Sequence, residues 1–315
     1  MPLDVHAAKV LEMIRLSGRP PYETLQPAEA RQFSRNARAV LAPEPPEMGE
    51  VRDLTIGADG TIPARLYRPR LYRPDACAAL PALIYFHGGG WVIGDLDTHD
   101  VVCRQVANGA GAVVIAVDYR LAPEHKFPAA VDDAIAATAW IAENGAALGI
   151  DASRLAVGGD SAGGNLAAVV ALHARDHGGP KLTQQVLIYP ATEFAMNHPS
   201  HERFGEGLLL TRPTMAWFRD HYLRGAEDMA DWRASPLRAA SLAGLPPALV
   251  LIAGYDPLSD EGEDYAARLA AAGVPVTRLR VEGMIHGFLT MGKLIPAANE
   301  AVAMIAASLK IAFAR

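Results

Sequence analysis

The chain has 315 residues, half of them hydrophobic and a fifth charged, a composition that predicts a folded globular protein. Its net charge of −6 comes without a strongly basic run, which argues against a nucleic-acid-binding surface. No stretch of about 18 apolar residues occurs, so no membrane-spanning helix is expected. Because the N-terminus lacks the pattern of a signal peptide, a cytoplasmic location is expected. The two cysteines, Cys77 and Cys103, fit free thiols better than a disulfide framework or a metal site.

Two helices are predicted before the first strand. Residues 4–16 have the apolar spacing of an amphipathic helix. Residues 27–41 open with Pro27 and Glu29, which suit a first helical turn. The proline-rich stretch 42–49 then interrupts any helix and is typical of a linker.

From residue 50 onward, strands alternate with helices. Two strand-like runs flank the turn 57–60, which predicts a hairpin. Two later apolar runs, directly before His87 and at 113–119, predict strands buried on both faces. Further strands are predicted at 154–159, 185–190, 247–256 and 276–283. Helices are predicted at 128–148, after Ser161, at 263–273 and at 297–314. This alternation indicates the α/β class, with a mostly parallel sheet and the hairpin at one edge.

The stretch 191–235 breaks this alternation, since it is rich in proline and aromatic residues and contains no clear strand. We interpret it as an insertion of short helices. Together with residues 1–45 it is predicted to form a cap over the carboxyl ends of the strands, where open α/β sheets bind ligands. The catalytic core would then comprise residues 46–190 and 236–315.

Ser161 lies in a Gly-Asp-Ser-Ala-Gly pattern between a predicted strand and a predicted helix. A nucleophile on such a tight turn needs glycine two residues before and after it, because side chains there would collide with the sheet and the helix. The turn also places the hydroxyl at a helix N-terminus, which favours developing negative charge. The pattern therefore predicts a nucleophilic serine, the alternative being a glycine-rich turn with an incidental serine.

A second glycine-rich segment, from His87 to Trp91, directly follows a predicted strand. Acyl transfer requires backbone N–H groups aimed at the oxyanion, and consecutive glycines leave such groups accessible. We predict an oxyanion hole built from the N–H groups of Gly88, Gly89, Gly90 and Ala162. A phosphate-binding loop is disfavoured because no Lys-Ser/Thr pair follows.

An acid and then a histidine are expected after the serine. Asp256 directly follows a predicted strand, whereas four other acidic residues lie farther along on a helix. His286 comes after the last predicted strand and precedes a glycine. These residues predict a Ser161–His286–Asp256 triad, in which His286 is the general base and Asp256 orients it, with no metal or cofactor.

In these segments, and in the run 118–124, the chain resembles the bacterial hormone-sensitive-lipase-like, or family IV, carboxylesterases. The resemblance covers roughly residues 55–310 and implies an α/β-hydrolase fold with an eight-stranded sheet. It implies hydrolysis of short- to medium-chain acyl esters, with Gly89 and Gly90 as oxyanion donors. Because many members dimerise through an edge strand and a late helix, it also adds the expectation of a homodimer.

An apolar acyl pocket suits such small-molecule esters. The candidate lining residues, for which ordinary packing is the alternative, are Trp91, Phe204, Leu208, Phe218 and Phe288. Two other functions stay open. A peptidase or amidase would use the same triad, and a non-catalytic binding protein could share the fold. The presence of His286 disfavours the latter, because binding relatives of this kind lose the catalytic histidine.

Overall fold

A computed structural model describes residues 1–71 and 79–314 of the chain. Within them, eight strands form one sheet in the order β1-β2-β4-β3-β5-β6-β7-β8. The strands are β1 (Glu50–Ile56), β2 (Ile62–Arg68), β3 (Leu80–Phe86), β4 (Val113–Val117), β5 (Ile150–Asp160), β6 (Leu182–Ile188), β7 (Ala248–Tyr255) and β8 (Val276–Ile285). Strand β2 is antiparallel to both of its neighbours, and all the other neighbouring pairs are parallel. The predicted α/β class, the eight strands and the edge hairpin are confirmed.

Helices cover both faces of the sheet. They are α1 (Val5–Leu16), α2 (Pro27–Leu41), α3 (Asp100–Ala110), α4 (Ala129–Asn144), α5 (Ala162–Asp176), α6 (Pro199–Arg203), α7 (Arg212–Tyr222), α8 (Ser259–Ala271) and α9 (Pro296–Phe313). Helices α4, α5 and α8 contribute to the apolar core on one face, and α3 and α9 to the core on the other. Because both faces are covered, β3, β4 and β7 are almost fully buried.

The sequence-based prediction assigns no helix to α3. Its buried residues are Val102, Cys103, Val106, Ala107 and Ala110, which have the i, i+3, i+4, i+7 spacing of a helix packed on one side. The residues between them, such as Arg104 and Gln105, are only partly buried. Cys103 is a buried free thiol, whereas Cys77 lies outside the described residues.

The stretch 191–235 contains α6, α7 and one 3₁₀ turn (Ala226–Ala230) and no strand. It follows β6 in the chain, and β7 then resumes the sheet. Helices α1 and α2 occupy the N-terminal 41 residues. These two helical segments and the carboxyl ends of the central strands border a common cleft.

Candidate active site

Ser161 lies on a tight turn between the end of β5 and the first residue of α5, and its backbone has an unusual conformation. Its φ of 56° and ψ of −117° place it in the left-handed half of conformational space, which is unusual for a residue with a side chain. A Cβ at Gly163 would lie 1.8 Å from the carbonyl oxygen of Phe86, and one at Gly159 would lie 2.3 Å from it. Glycine is therefore required on both sides of this serine.

The structure brings the three predicted catalytic side chains together. His286 Nε2 lies 2.9 Å from Ser161 Oγ, and its Nδ1 lies 2.6 Å from Asp256 Oδ2. The other carboxylate oxygen of Asp256 accepts a hydrogen bond from the backbone N–H of Leu258 at 2.8 Å. Since Asp256 is fully buried and accepts at Oδ2, the imidazole proton belongs on Nδ1 and leaves Nε2 free to accept from the serine hydroxyl.

The glycine-rich loop after β3 lies beside this serine and requires one correction. The N–H of Gly88 donates to Asp160 Oδ1 at 3.0 Å, so Gly88 does not supply a free oxyanion donor as the sequence-based prediction assumed. No such acceptor holds the N–H groups of Gly89, Gly90 and Ala162 among the described residues. A positive φ of 130° at Gly89 and of 57° at Gly90 gives the loop its tight turn.

The buried side chain of Asp160 holds this loop in place, a role that sequence analysis did not assign to it. Its Oδ1 accepts from Tyr85 Oη at 2.7 Å as well as from Gly88, and His99 Nε2 lies 3.2 Å from the same oxygen. Burial alone would raise the pKa of this carboxyl group, but His99 and the Tyr85 hydroxyl together hold it well below its usual range. Asp160 is therefore a buried carboxylate that stays ionised. The sequence feature that could have indicated this role is the position of Asp160 directly before Ser161.

His87, the first residue of the glycine-rich segment, is buried and neutral. Burial and the neighbouring His99 lower its pKa to about 4. Its ring stacks on Tyr119 with 4.4 Å between centroids, and Tyr119 Oη donates to the backbone carbonyl of His87 at 2.7 Å. This packing fixes the residue at which the glycine-rich turn begins.

The cleft above Ser161 has a cavity volume of about 390 Å³. Its lining includes Ser161, His286 and the three glycines of the loop, together with mainly apolar side chains from residues 10–41 and 191–218. Trp91, directly after the three glycines, lines the cleft as well and stacks on Tyr222 with 4.4 Å between ring centroids. Phe218 also lines the cleft, and its ring covers Gly90 so closely that a Cβ there would lie 2.3 Å from it.

Three of the five predicted pocket residues lie elsewhere. Phe204 packs against Tyr255 with 5.3 Å between ring centroids. Phe288 is fully buried, and its ring lies 6.0 Å from that of Tyr189. Leu208 packs against the apolar core that α3 and α9 share, while the next two residues, Leu209 and Leu210, line the cleft. Sequence could not separate these neighbours, because the insertion has no regular periodicity.

A group of histidine and glutamate side chains fastens the insertion to α8. His198, His201 and Glu261 are close enough together to hold a metal ion. However, His201 Nδ1 accepts a hydrogen bond from the backbone N–H of His198 at 3.1 Å. Its proton must then reside on Nε2, which donates to Glu261 Oε2 at 3.0 Å. This arrangement favours a hydrogen-bonded clamp over metal ligation, which needs a free imidazole nitrogen.

The other oxygen of Glu261 accepts from the backbone N–H groups of Thr192 and Glu193 at 2.6 and 3.2 Å. Ser200 Oγ also donates to the carbonyl of Pro257, the residue after Asp256, at 2.6 Å. The first part of the insertion is thus joined directly to the loop that carries the buried acid.

The described residues contain no helix that could span a bilayer.

A parallel sheet that presents a serine, a histidine and an acid in hydrogen-bonded series at its carboxyl edge defines the class of serine-dependent α/β hydrolases.

A family model for the alpha/beta hydrolase fold matches residues 83–290. Esterase LipI of Mycobacterium tuberculosis is 47% identical over 264 residues, which cover 82% of each chain. An ethyl acetate hydrolase of Pseudomonas putida is 43% identical over 295 residues, 92% of each chain. The crystal structure of a thermostable esterase from Pseudomonas putida superposes with a TM-score of 0.94 at 42% identity, covering 99% of this chain and 98% of that one. The chain belongs to the α/β-hydrolase family, in its hormone-sensitive-lipase-like branch of carboxylesterases.

Proposed function

We propose that this protein is a serine carboxylesterase that hydrolyses short- to medium-chain acyl esters through an acyl-enzyme intermediate. The observation that carries the proposal is the continuous series from Asp256 through His286 to Ser161, with contacts of 2.6 and 2.9 Å. The esterase relatives, alike over most of the chain, support ester hydrolysis as the reaction.

In the first half of the reaction, His286 takes the proton of Ser161 as the serine oxygen attacks the acyl carbon. Asp256 holds the imidazole in the required tautomer and stabilises its cationic form. The N–H groups of Gly89, Gly90 and Ala162 would stabilise the oxyanion, and each such donor typically contributes about 3–4 kcal/mol. His286 then protonates the leaving alcohol.

In the second half, water replaces the alcohol and attacks the acyl-enzyme with His286 again as base. Collapse of the second tetrahedral intermediate releases the carboxylic acid and restores Ser161. All the proton transfers in this cycle pass through one imidazole.

We assign substrate selection to residues 1–45 and 191–235, acting as a cap. The support is that side chains from both segments line the cleft above Ser161. Its volume of about 390 Å³ is near the lower end of the range of about 300–1,000 Å³ typical of ligand sites. A cleft of this size and apolar character favours compact acyl chains over long ones.

The test is the hydrolysis of p-nitrophenyl esters from acetate to palmitate, with Ser161→Ala as the control. We expect the highest kcat/KM at a short or medium acyl chain and a loss of kcat of about 10⁶-fold in the variant. A fluorophosphonate should label the native protein and not the variant. Maximal turnover on long-chain esters would contradict the chain-length assignment, and full activity in Ser161→Ala would contradict the nucleophile.

A further inference from the structure

The cleft is mainly apolar, and the few charged side chains that line it are not equivalent. Apart from His286, they are two arginines and three carboxylates, namely Arg19, Arg38, Asp160, Glu193 and Glu261. A charge that already has an opposite partner contributes little to ligand selection, whereas an unpaired charge in such a cleft favours a ligand of opposite sign.

Each of the three carboxylates has a partner. Asp160 is held by His99, Tyr85 and Gly88. Glu193 pairs with Arg238, with 2.8 Å between the nearest charged atoms. The fully buried Glu261 accepts hydrogen bonds from His201 and two backbone N–H groups, as described above.

Arg38 differs from these groups, because its hydrogen bonds go only to neutral partners, although its charge also helps to lower the pKa of Asp160. Its Nη1 donates to the backbone carbonyl of Gly287 at 3.4 Å and to the hydroxyl of Thr290. Its Nε and Nη2 have no acceptor within the described part of the chain, and neither is among the buried unpaired atoms. The unused N–H groups therefore remain accessible on a half-buried side chain.

Arg19, which lines the same cleft, also lacks a carboxylate partner among the described residues. Its guanidinium lies 4.5 Å from the ring centroid of Tyr22 and 5.5 Å from that of Phe33. Stacking on aromatic rings orients a guanidinium while leaving its N–H groups free for an anion. Both unpaired cations thus belong to the N-terminal helical segment.

The position of Arg38 indicates which part of an ester would meet it. The carbonyl that it contacts belongs to Gly287, the residue directly after His286. A Cβ built on Gly287 would lie 3.6 Å from Arg38 Nη2. Since the imidazole delivers its proton to the leaving oxygen, the leaving group lies next to His286, and Arg38 therefore borders the alcohol side of the ester.

We propose that Arg38, assisted by Arg19, forms a carboxylate-binding subsite on the alcohol side of the cleft, so that the preferred substrates are acyl esters of hydroxy carboxylic acids. This inference rests on the proposed esterase function and names its substrate class. A planar guanidinium with unused N–H groups matches the geometry of a carboxylate.

The chemistry is that of ordinary ester hydrolysis. The bond between the acyl carbon and the hydroxy-acid oxygen breaks, and that oxygen takes its proton from His286 and leaves as the hydroxy carboxylate. Water supplies the oxygen that completes the acyl product. The substrate carboxylate itself takes no part in bond making and serves only to bind Arg38.

The experiment compares two substrates of nearly equal shape, O-butanoyl lactate and O-butanoyl lactamide, by the release of butanoate at pH 7.5. We expect native enzyme to have the higher kcat/KM on the anionic ester. In Arg38→Gln the anionic-to-neutral ratio should fall by about tenfold or more, the usual scale for a lost charge-assisted hydrogen bond. Arg38→Lys should keep most of the ratio, and Arg19→Gln should lower it less than Arg38→Gln.

Arg15→Gln is the matched control, since Arg15 is exposed on α1 and pairs with Glu12, and its ratio should equal that of the native enzyme. Equal losses on both substrates in Arg38→Gln would overturn the proposal, because Arg38 would then act only by holding the His286 loop. If Arg38→Gln does not fold, the native enzyme alone provides the test. A higher kcat/KM on the lactamide ester than on the lactate ester would then overturn the subsite. Hydrolysis of p-nitrophenyl butanoate separates these results from a failure of the esterase function itself.

Discussion

The strand-end loops around Ser161 and the helical walls of the cleft are held by different kinds of contact. The loops depend on glycines that no other residue could replace and on fully buried charges such as Asp160 and Asp256. The walls are held by arginines that reach backbone carbonyls, as Arg31 does to Val92 and Ala122, both at 2.8 Å, and by the buried pair of His201 and Glu261.

Under the proposed function, this difference separates the chemical steps from substrate selection. A glycine turn over a buried carboxylate tolerates little displacement, which keeps reacting groups in register. The walls line the cleft with mainly apolar side chains, which can change without moving the reacting groups. Changes in the loops should therefore lower kcat, whereas changes in the walls should alter KM and specificity.

Asp256→Asn should give the largest loss of activity. The amide would present its N–H₂ or a weaker acceptor to His286 and disfavour the tautomer that accepts from Ser161, so kcat should fall about 10⁴-fold with little change in KM. Steady-state kinetics on p-nitrophenyl butanoate measure both. Asp264→Asn is the matched control, because this acid lies on α8, is mostly exposed and pairs with His198. A similar loss in both variants would show that Asp256 has no special role.

Asp160→Ala tests whether the glycine-rich loop after β3 depends on its buried support. The change leaves the N–H of Gly88 and the hydroxyl of Tyr85 without their acceptor, so the loop should shift and kcat should fall about 100-fold. The free energy of unfolding should decrease by about 3 kcal/mol. Asp160→Asn, which keeps one acceptor oxygen, should recover part of kcat. Active-site titration separates a slower enzyme from a smaller folded fraction, and unchanged kcat in the alanine variant counts against the support.

His201→Ala tests the walls. Glu261 would lose its imidazole partner while remaining fully buried, and the loss of a buried partner typically costs about 3–5 kcal/mol in unfolding free energy. Because Glu261 also binds the backbone of Thr192 and Glu193 at the start of the insertion, KM should rise more than kcat falls. Thermal unfolding and a KM series over acyl chain length measure these effects. His177→Ala, at an exposed site after α5, should change neither, and a variant with lowered kcat and normal KM would contradict the separation.

Asp118→Asn should give the smallest effect, and it depends on pH. Burial, followed by repulsion from Asp95, raises the pKa of this carboxyl group to about 6. Because the folded-state pKa exceeds the unfolded value of about 4, stability is lost as the pH rises from 4 through 6.

Asp118→Asn avoids this loss of stability. Its Tm should exceed that of the native protein by about 1–3 °C at pH 8 and should equal it at pH 4. The gain is small because the side chain is about a third exposed. Scanning calorimetry at both pH values is the measurement, with Asp220→Asn as the exposed control. An equal gain at pH 4 would rule out the titration as its cause.

Much of the proposed catalytic centre was predictable because its constraints are local. The glycines around Ser161 and after His87 are required by the backbone path within a few residues, so their pattern carries the information. Asp256 and His286 were predictable from their place at strand ends, since all parallel strands bring those ends to one edge of the sheet. Phe204, Leu208 and Phe288 were misplaced because side-chain direction in short helical turns and irregular segments depends on what packs against them.

The order of the segments along the chain thus determined the class of fold and the sheet edge at which Ser161, Asp256 and His286 meet, because alternating apolar strands and helices have few ways to pack. Only the tertiary structure decided that Asp160 occupies the N–H of Gly88, that His201 and Glu261 clamp the insertion, and that Arg38 reaches the loop of His286. Each of these contacts joins residues at least 60 positions apart. Pairing over such distances depends on how whole elements pack, which no local pattern of residues encodes.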